Sequence, residues 1–255
     1  MAGLLPLLAL GACGDGGGAA RKAERAIASA EAGYLAPPRV LAVRTGPAGV
    51  ALSGAGVPGA TVRLEASTGE VFSDEVDARG VWTVVARPSA SVRLFALSMT
   101  VGARAVQSEG YLAVTPEGRA AQLRGGAGAV VLAPSSRRPV ILAMDFDRGG
   151  AAMISGIGTV DAEIGLRVDR TAAGASSIDR QGRFTFALSQ PLGSGPHEVE
   201  LSGEGGEDLV VAEGQRPAPL DRLFRAERAG RAWRIDWMPP GGGMQSTLLF
   251  DQAGG

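Results

Sequence analysis

Between residues 61 and 66 the chain reads TVRLEA: Val62, Leu64 and Ala66 are apolar, while Thr61, Arg63 and Glu65 are polar. A period of two sends alternate side chains to opposite faces of an extended strand, one buried and one solvated. The same alternation recurs at Trp82 and Val84 about Thr83, and at Phe184 and Phe186 about Thr185. Short apolar runs at 40–43, 50–52, 91–97, 103–107, 111–114, 129–132, 140–144, 152–154, 198–201, 209–212, 233–237 and 247–250 read as further strands. They are bounded by Gly, Pro, Asp and Ser, the residues that close turns.

The pattern is written twice. SGAGVPGATVRLE (53–65) aligns with SGIGTVDAEIGLR (155–167) at a displacement of 102 residues, and VDARGVWTV (76–84) aligns with IDRQGRFTF (178–186) at the same displacement, without a gap. Asp77 then meets Asp179, Gly80 meets Gly182, and Trp82 meets Phe184. In these D-x-x-G turns the Asp carboxylate accepts main-chain hydrogen bonds and the Gly supplies a positive φ. The aromatic pair marks a structural position common to both copies.

The first copy contains G-x-G-x-x-G, at Gly54, Gly56 and Gly59. A dinucleotide loop of this form has to lead into a helix whose N-terminus meets the pyrophosphate. Here it leads into the alternating strand 61–66 through Pro58, and the second copy replaces the third glycine by Asp161. The glycines are therefore expected to serve a turn between strands.

The phrase S-G-x-G-x-P-G-A-x-V-x-L followed by D-x-x-G-x-W-T-V resembles the tandem Ig-like modules of bacterial surface and envelope proteins. The resemblance covers most of 50–97 and, more loosely, 154–201. It implies an all-β chain of two tandem Ig-like antiparallel β-sandwich domains, at 39–136 and 137–255. Each copy carries about seven to nine short strands, as such a sandwich needs. Modules of this kind serve as spacers, scaffolds or adhesive units.

The chain opens MAGLLPLLALGAC. An uncharged apolar run shorter than the roughly 20 residues of a spanning helix fits the apolar core of an export signal. Its Leu-Gly-Ala-Cys ending resembles the lipobox of bacterial lipoproteins. That resemblance implies a signal peptide over 1–12, cleavage before Cys13 and lipidation of Cys13. Residues 13–38 are then a tether, Gly-rich at first and helix-prone over 19–32, closed by Pro37 and Pro38. By the same analogy the anchor is expected in the outer membrane, facing the periplasm.

Glycine accounts for 39 of 255 residues, about twice the usual frequency of roughly 7 %, and its spread through alternating segments fits many tight turns. The formal net charge of -1 gives no global attraction to nucleic acid, so no nucleic-acid partner is expected. One Cys and one His exclude an internal disulfide and a Cys/His zinc site. No cofactor is expected.

Candidate chemistry concentrates in the second copy. RPAPLDRLFRAERAGRAWRIDW (216–237) reads as an insert holding a short helix, with Pro219 early, Gly230 at its end and Leu220, Leu223 and Phe224 as an apolar stripe. Arg222, Arg225, Arg228 and Arg231 recur at spacing three, with Arg234 beyond. They form either a basic ridge for an anionic polymer or lipid, or a solvated face balanced by Asp221 and Glu227. Trp233, Ile235 and Trp237 alternate on one strand face, as a sugar-stacking platform or as sandwich core. Asp145 and Asp147 are candidate calcium ligands, though a lone D-x-D pair fits a polar junction as well. His197 beside Ser194 is the only possible centre for a hydrolase, and no G-x-S-x-G elbow precedes it.

The sequence thus points to an exported, lipid-anchored envelope protein that binds or scaffolds rather than catalyses. Its expected partners are the membrane, through the N-terminal lipid, and envelope proteins or cell-wall glycan. The alternatives are glycan or anionic-lipid binding through Arg222, Arg225, Arg228, Trp233 and Trp237, and hydrolysis through His197.

Overall fold

A computed structural model describes residues 33–251. Residues 37–251 lie in one compact unit, and 33–36 fall outside it. Cys13 and the helix-prone segment 19–32 lie outside the described residues.

The compact unit is built of antiparallel strands, with no helix among the described residues. Its first half runs β1 (Arg39–Gly46), β2 (Gly49–Ala55), β3 (Thr61–Ala66), β4 (Val71–Glu75), β5 (Val81–Ala86), β6 (Arg93–Val101), β7 (Arg104–Gln107), β8 (Tyr111–Val114), β9 (Ala120–Leu123) and β10 (Val130–Val131). The second half runs β11 (Val140–Asp147), β12 (Ala152–Ile157), β13 (Glu163–Val168), β14 (Thr171–Ser177), β15 (Arg183–Ala187), β16 (Gly195–Gly203), β17 (Gly206–Gly214), β18 (Phe224–Ala229), β19 (Ala232–Trp237) and β20 (Gln245–Phe250).

Sheet one is β1-β2-β5, and sheet two is β4-β3-β6 continued through β8, β9 and β10, with β7 also on β6. Sheet three holds β11-β12-β15 extended beyond β11 by β20, β19 and β18, and sheet four is β14-β13-β16-β17. Each half therefore contains the same three-plus-four sandwich. Its fourth strand pairs with the third rather than the fifth, which is the fibronectin type III variant of the Ig-like arrangement. The displacement of 102 carries β3 onto β13 and β6 onto β16 end to end, and both first strands bear a β-bulge, at Val40/Ala42 and Ile141/Ala143.

The S-G-x-G phrase has a packing origin. Gly54 pairs with Trp82, and Gly156 pairs with Phe184. A Cβ on Gly54 would lie 1.9 Å from the Arg39 carbonyl oxygen and 2.6 Å from the Trp82 indole; on Gly156 the matching distances are 2.0 Å to Val140 and 2.5 Å to Phe184. The glycine makes room for both the bulge and the ring. Gly59 has φ +75°, and Asp161, at the equivalent position, holds 62°, a left-handed conformation that Asp tolerates. The Asp77 and Asp179 turns also match: Asp77 Oδ1 accepts from the Arg79 and Val81 amides, and Asp179 Oδ1 from those of Gln181 and Arg183.

Two corrections arise here. The helix expected within 216–237 does not form: residues 215–223 are irregular, and Phe224–Ala229 is strand β18, paired with β19. Pro219, Gly230 and the Leu220, Leu223 and Phe224 stripe favour a helix locally, but β19 offers an unpaired main chain, and Phe224 and Ala226, two apart, pack on the core beside it. Tertiary pairing overrides the local preference. The division into separate domains at 136/137 also runs through a shared core. Leu94, Ala113, Ala121 and Leu123 of the first half pack with Ala143, Ile235, Trp237 and Leu249 of the second.

Sheet three is consequently covered on both faces. Met144, Phe146, Leu248 and Phe250 face sheet four, whereas Ala143, Leu249, Ile235 and Trp237 face sheet two. This explains why VILAM (140–144) reads as an unbroken apolar run, as strands buried on both faces do.

Candidate functional site

The hairpin of β16 and β17 turns through Glu204 and Gly205 and closes on the Gly203–Gly206 pair. In an antiparallel ladder, paired residues alternate between exchanging hydrogen bonds and facing away. Counting from the closing pair, Gly206, Asp208, Val210, Ala212 and Gly214 direct their main-chain groups to β16. Glu207, Leu209, Val211 and Glu213 direct theirs outward. β17 is the last strand of its sheet, so among the described residues this row meets no partner strand.

Beside that free edge lies a groove of about 810 Å3. Its floor comes from the face of sheet three that looks toward sheet four: Ile141, Leu248 and Phe250. One wall is β17 itself, contributing Asp208 through Val211 in succession; the others are 134–138 and the turn at 229–232. Asp208 reaches across to accept the Ile141 amide at 2.7 Å and pins one end. Leu209 and Val211 stand on the solvent side of β17, 58 % and 63 % exposed, whereas Ala212 is buried.

The first half lacks this feature. At the displacement of 102, Leu209 and Val211 correspond to Gln107 and Glu109, and β7 is only four residues long. The Ser108 hydroxyl donates to the Pro38 carbonyl and bridges toward the start of β1 there. The second half instead continues β17 to nine residues.

The residues singled out from sequence are dispersed. Arg222 is exposed in irregular chain and pairs with Asp221 at 3.2 Å. Arg225 stands opposite Asp236 and binds it at 2.7 Å, an ion pair that holds the Arg225 guanidinium above its usual range. Arg228, one strand face over, binds Asp251 at 2.6 Å and lies over the Trp233 ring at 5.3 Å. Arg234 is buried with Asp236 at 3.0 Å. In a strand, spacing three alternates faces, so no continuous basic ridge results.

Trp237 is fully buried, donates to the Thr247 hydroxyl at 3.1 Å and meets Tyr111 edge-on. Trp233 does share its face but is only half-buried, and its indole N–H donates to Glu117 at 2.9 Å. The two indoles therefore offer no open platform.

Asp145 is buried between sheets two and three, accepting the Ala129 amide at 2.7 Å and the Thr247 hydroxyl at 2.5 Å. Burial pushes its carboxyl up to about 6, partly offset by those hydrogen bonds. Asp147 instead closes the next turn through the Ala151 amide. Among the described residues no three His, Cys, Asp or Glu side chains converge as a metal ion requires.

His197 contacts Asp169 through Nδ1 at 2.7 Å and the Gly193 carbonyl through Nε2 at 3.1 Å. With both nitrogens facing acceptors, the protonated ring is favoured. The Asp169 carboxylate above all raises the His197 pKa, and the imidazole in turn lowers that of Asp169. A ring so engaged is not poised to take a proton from Ser194.

Sequence reasoning did not find the groove. The only signal was the alternation across GEDLVVAEG, with apolar residues at Leu209 and Val211 where the inward positions are Val210 and Ala212.

No family model matches the chain, and no curated protein matches it. Among solved structures it is similar to a "Biofilm associated protein - BSP domain", at 13% identity over 71% of this chain and 30% of that one, with a TM-score of 0.26. It is also similar to the "Central Fibronectin-III array of RIM-binding protein", at 10% identity over 84% of this chain and 89% of that one, again with a TM-score of 0.26. The chain thus spans under a third of the length of the first. The fold described above rests on strand order and register, not on these likenesses.

Proposed function

We propose that the protein is an exported, lipid-anchored envelope protein whose Ig-like body binds or scaffolds a partner and does not catalyse a reaction. The observation that carries the binding role is the groove of about 810 Å3 beside the free edge of β17. Concave sites with an apolar floor and a few charged groups at the rim are the usual form of binding sites. The double-faced burial of sheet three makes the body a rigid support for such a site.

Anchoring rests on the Leu-Gly-Ala-Cys ending and on Cys13 being the single cysteine of the chain. Lipidation there, followed by the tether 13–38, would hold the body off the outer membrane on its periplasmic side. Several acyl chains give firm attachment where one gives only a marginal hold. In cell fractionation, Cys13→Ser should move the protein from the membrane to the soluble fraction. Identical distribution of the two forms would defeat the anchor.

A further inference from the structure

We infer that the free edge of β17 docks an extended polypeptide segment of a partner protein by strand addition, with apolar residues at its centre and basic residues at its ends. This rests on the binding role proposed above and names the site and the chemistry of its occupant.

The first support is the main chain. Glu207, Leu209, Val211 and Glu213 present outward N–H and C=O groups, and sheet four ends there. Such a row is a template for another strand, and natural edges are ordinarily shortened, bulged or charged to prevent pairing. β17 is nine residues long, has no register shift against β16, and carries two exposed apolar residues at its centre.

The second support is the groove beside that row. A strand laid along β17 would point alternate side chains in opposite directions. One set would enter the groove toward Ile141, Val210, Leu248 and Phe250. The other would lie on the outer face next to Leu209 and Val211. The space for the first set is already present, so docking needs no rearrangement of the core.

The third support is charge. On the outer face, Glu207 and Glu213 flank Leu209 and Val211, and neither forms an ion pair among the described residues. The complementary strand has basic residues six positions apart with apolar residues between, since opposite charges directly across a ladder stabilise it and like charges do the reverse. The same arithmetic disfavours a second copy. An antiparallel β17–β17 pair centred on Val210 would set each Glu207 directly against a Glu213.

The test uses the full chain carrying Cys13→Ser, so that it is independent of the anchor. Fluorescently labelled peptide KTVLVTK is titrated by anisotropy, beside ETVLVTE and KTVLPTK, whose proline removes an N–H that would face Leu209 in an antiparallel ladder, and amide exchange is followed at Leu209 and Val211. The proposal expects saturable binding of KTVLVTK and at least about tenfold slower exchange of both amides. It expects at least about tenfold weaker binding of the acidic and the proline peptides, each tenfold being about 1.4 kcal/mol. Leu209→Pro removes an outward N–H while leaving the ladder to β16 intact, and should abolish binding. Val211→Lys, which keeps the main chain, should weaken it at least about tenfold. Equal binding of the three peptides, no saturation by about 1 mM, or a dimer whose formation alone protects the two amides would overturn it. None of these results bears on membrane attachment, which the Cys13→Ser fractionation decides separately.

Discussion

Gly54 and Trp82 face each other across β2 and β5, and the indole lies where a side chain on Gly54 would begin. Gly156 and Phe184 repeat the arrangement in the second half. A glycine in a strand interior weakens it unless something approaches closely, and here both a bulged carbonyl and an aromatic ring do. Gly54→Ala should lower unfolding stability by about 1–3 kcal/mol or more, the usual cost of overpacking a well-filled core. Gly59→Asp, which copies the second half, should cost less. Urea unfolding of the two variants beside wild type compares them directly.

Asp145 gives stability a pH dependence of definite sign. Its folded carboxyl titrates near 6, above the ordinary 3.8, so the native state holds the proton more tightly than the unfolded chain. Stability should therefore fall as pH rises from about 4 to about 6, by at most roughly 1.4 kcal/mol per pH unit from this group. Asp145→Asn should flatten that slope. The difference in unfolding free energy between wild type and variant, measured across this range, is the readout; a difference independent of pH would show that the group does not titrate there.

His197 acts in the same sense, at higher pH. Its pKa is raised by Asp169, so its stabilising share is complete below the unfolded value of about 6.5 and fades as pH climbs through the folded value. Asp169, lowered by the same contact, contributes above about 3.8 and loses its share as pH falls through its depressed folded value. Because the chain has one histidine, its imidazole NMR titration is a single curve and should centre above about 6.5. His197→Gln should narrow its stability deficit as pH is raised from 6 to 8.5, on the order of the His titration range.

Asp236 holds two arginines at once, Arg225 at 2.7 Å and the buried Arg234 at 3.0 Å, and it accepts the Ser246 hydroxyl as well. Removing one partner of a buried ion pair strands the other charge. Asp236→Ala should destabilise by about 3–5 kcal/mol, whereas Asp221→Ala, at an exposed pair with Arg222, should leave the midpoint unchanged. Thermal and urea unfolding of both variants would distinguish a structural triad from a loose surface contact.

Much of the sandwich was legible before any coordinates. Alternation in TVRLEA and in the segments around Trp82 and Phe184 depends only on which neighbours are apolar, and the doubled D-x-x-G turns fix where strands reverse. The insert 216–237 reads as a helix because Pro219, Gly230 and the stripe of Leu220, Leu223 and Phe224 are helix signals, while the competing signal, Phe224 and Ala226 two apart, is weaker. The site was harder still. Leu209 and Val211 differ from core residues only in which way they point, and a run of apolar residues carries no sign of that.

By itself, then, the sequence determined the strands, their turns and the duplication, because side-chain period, positive φ and main-chain hydrogen bonding are local. Tertiary structure alone decided that sheet three would be buried on both faces, that Asp145 and Asp236 would lose their water, and that β17 would end its sheet unpaired beside a groove. Those outcomes depend on which distant segment arrives at each face, and contacts between residues a hundred positions apart leave no mark on the local alternation that the sequence displays.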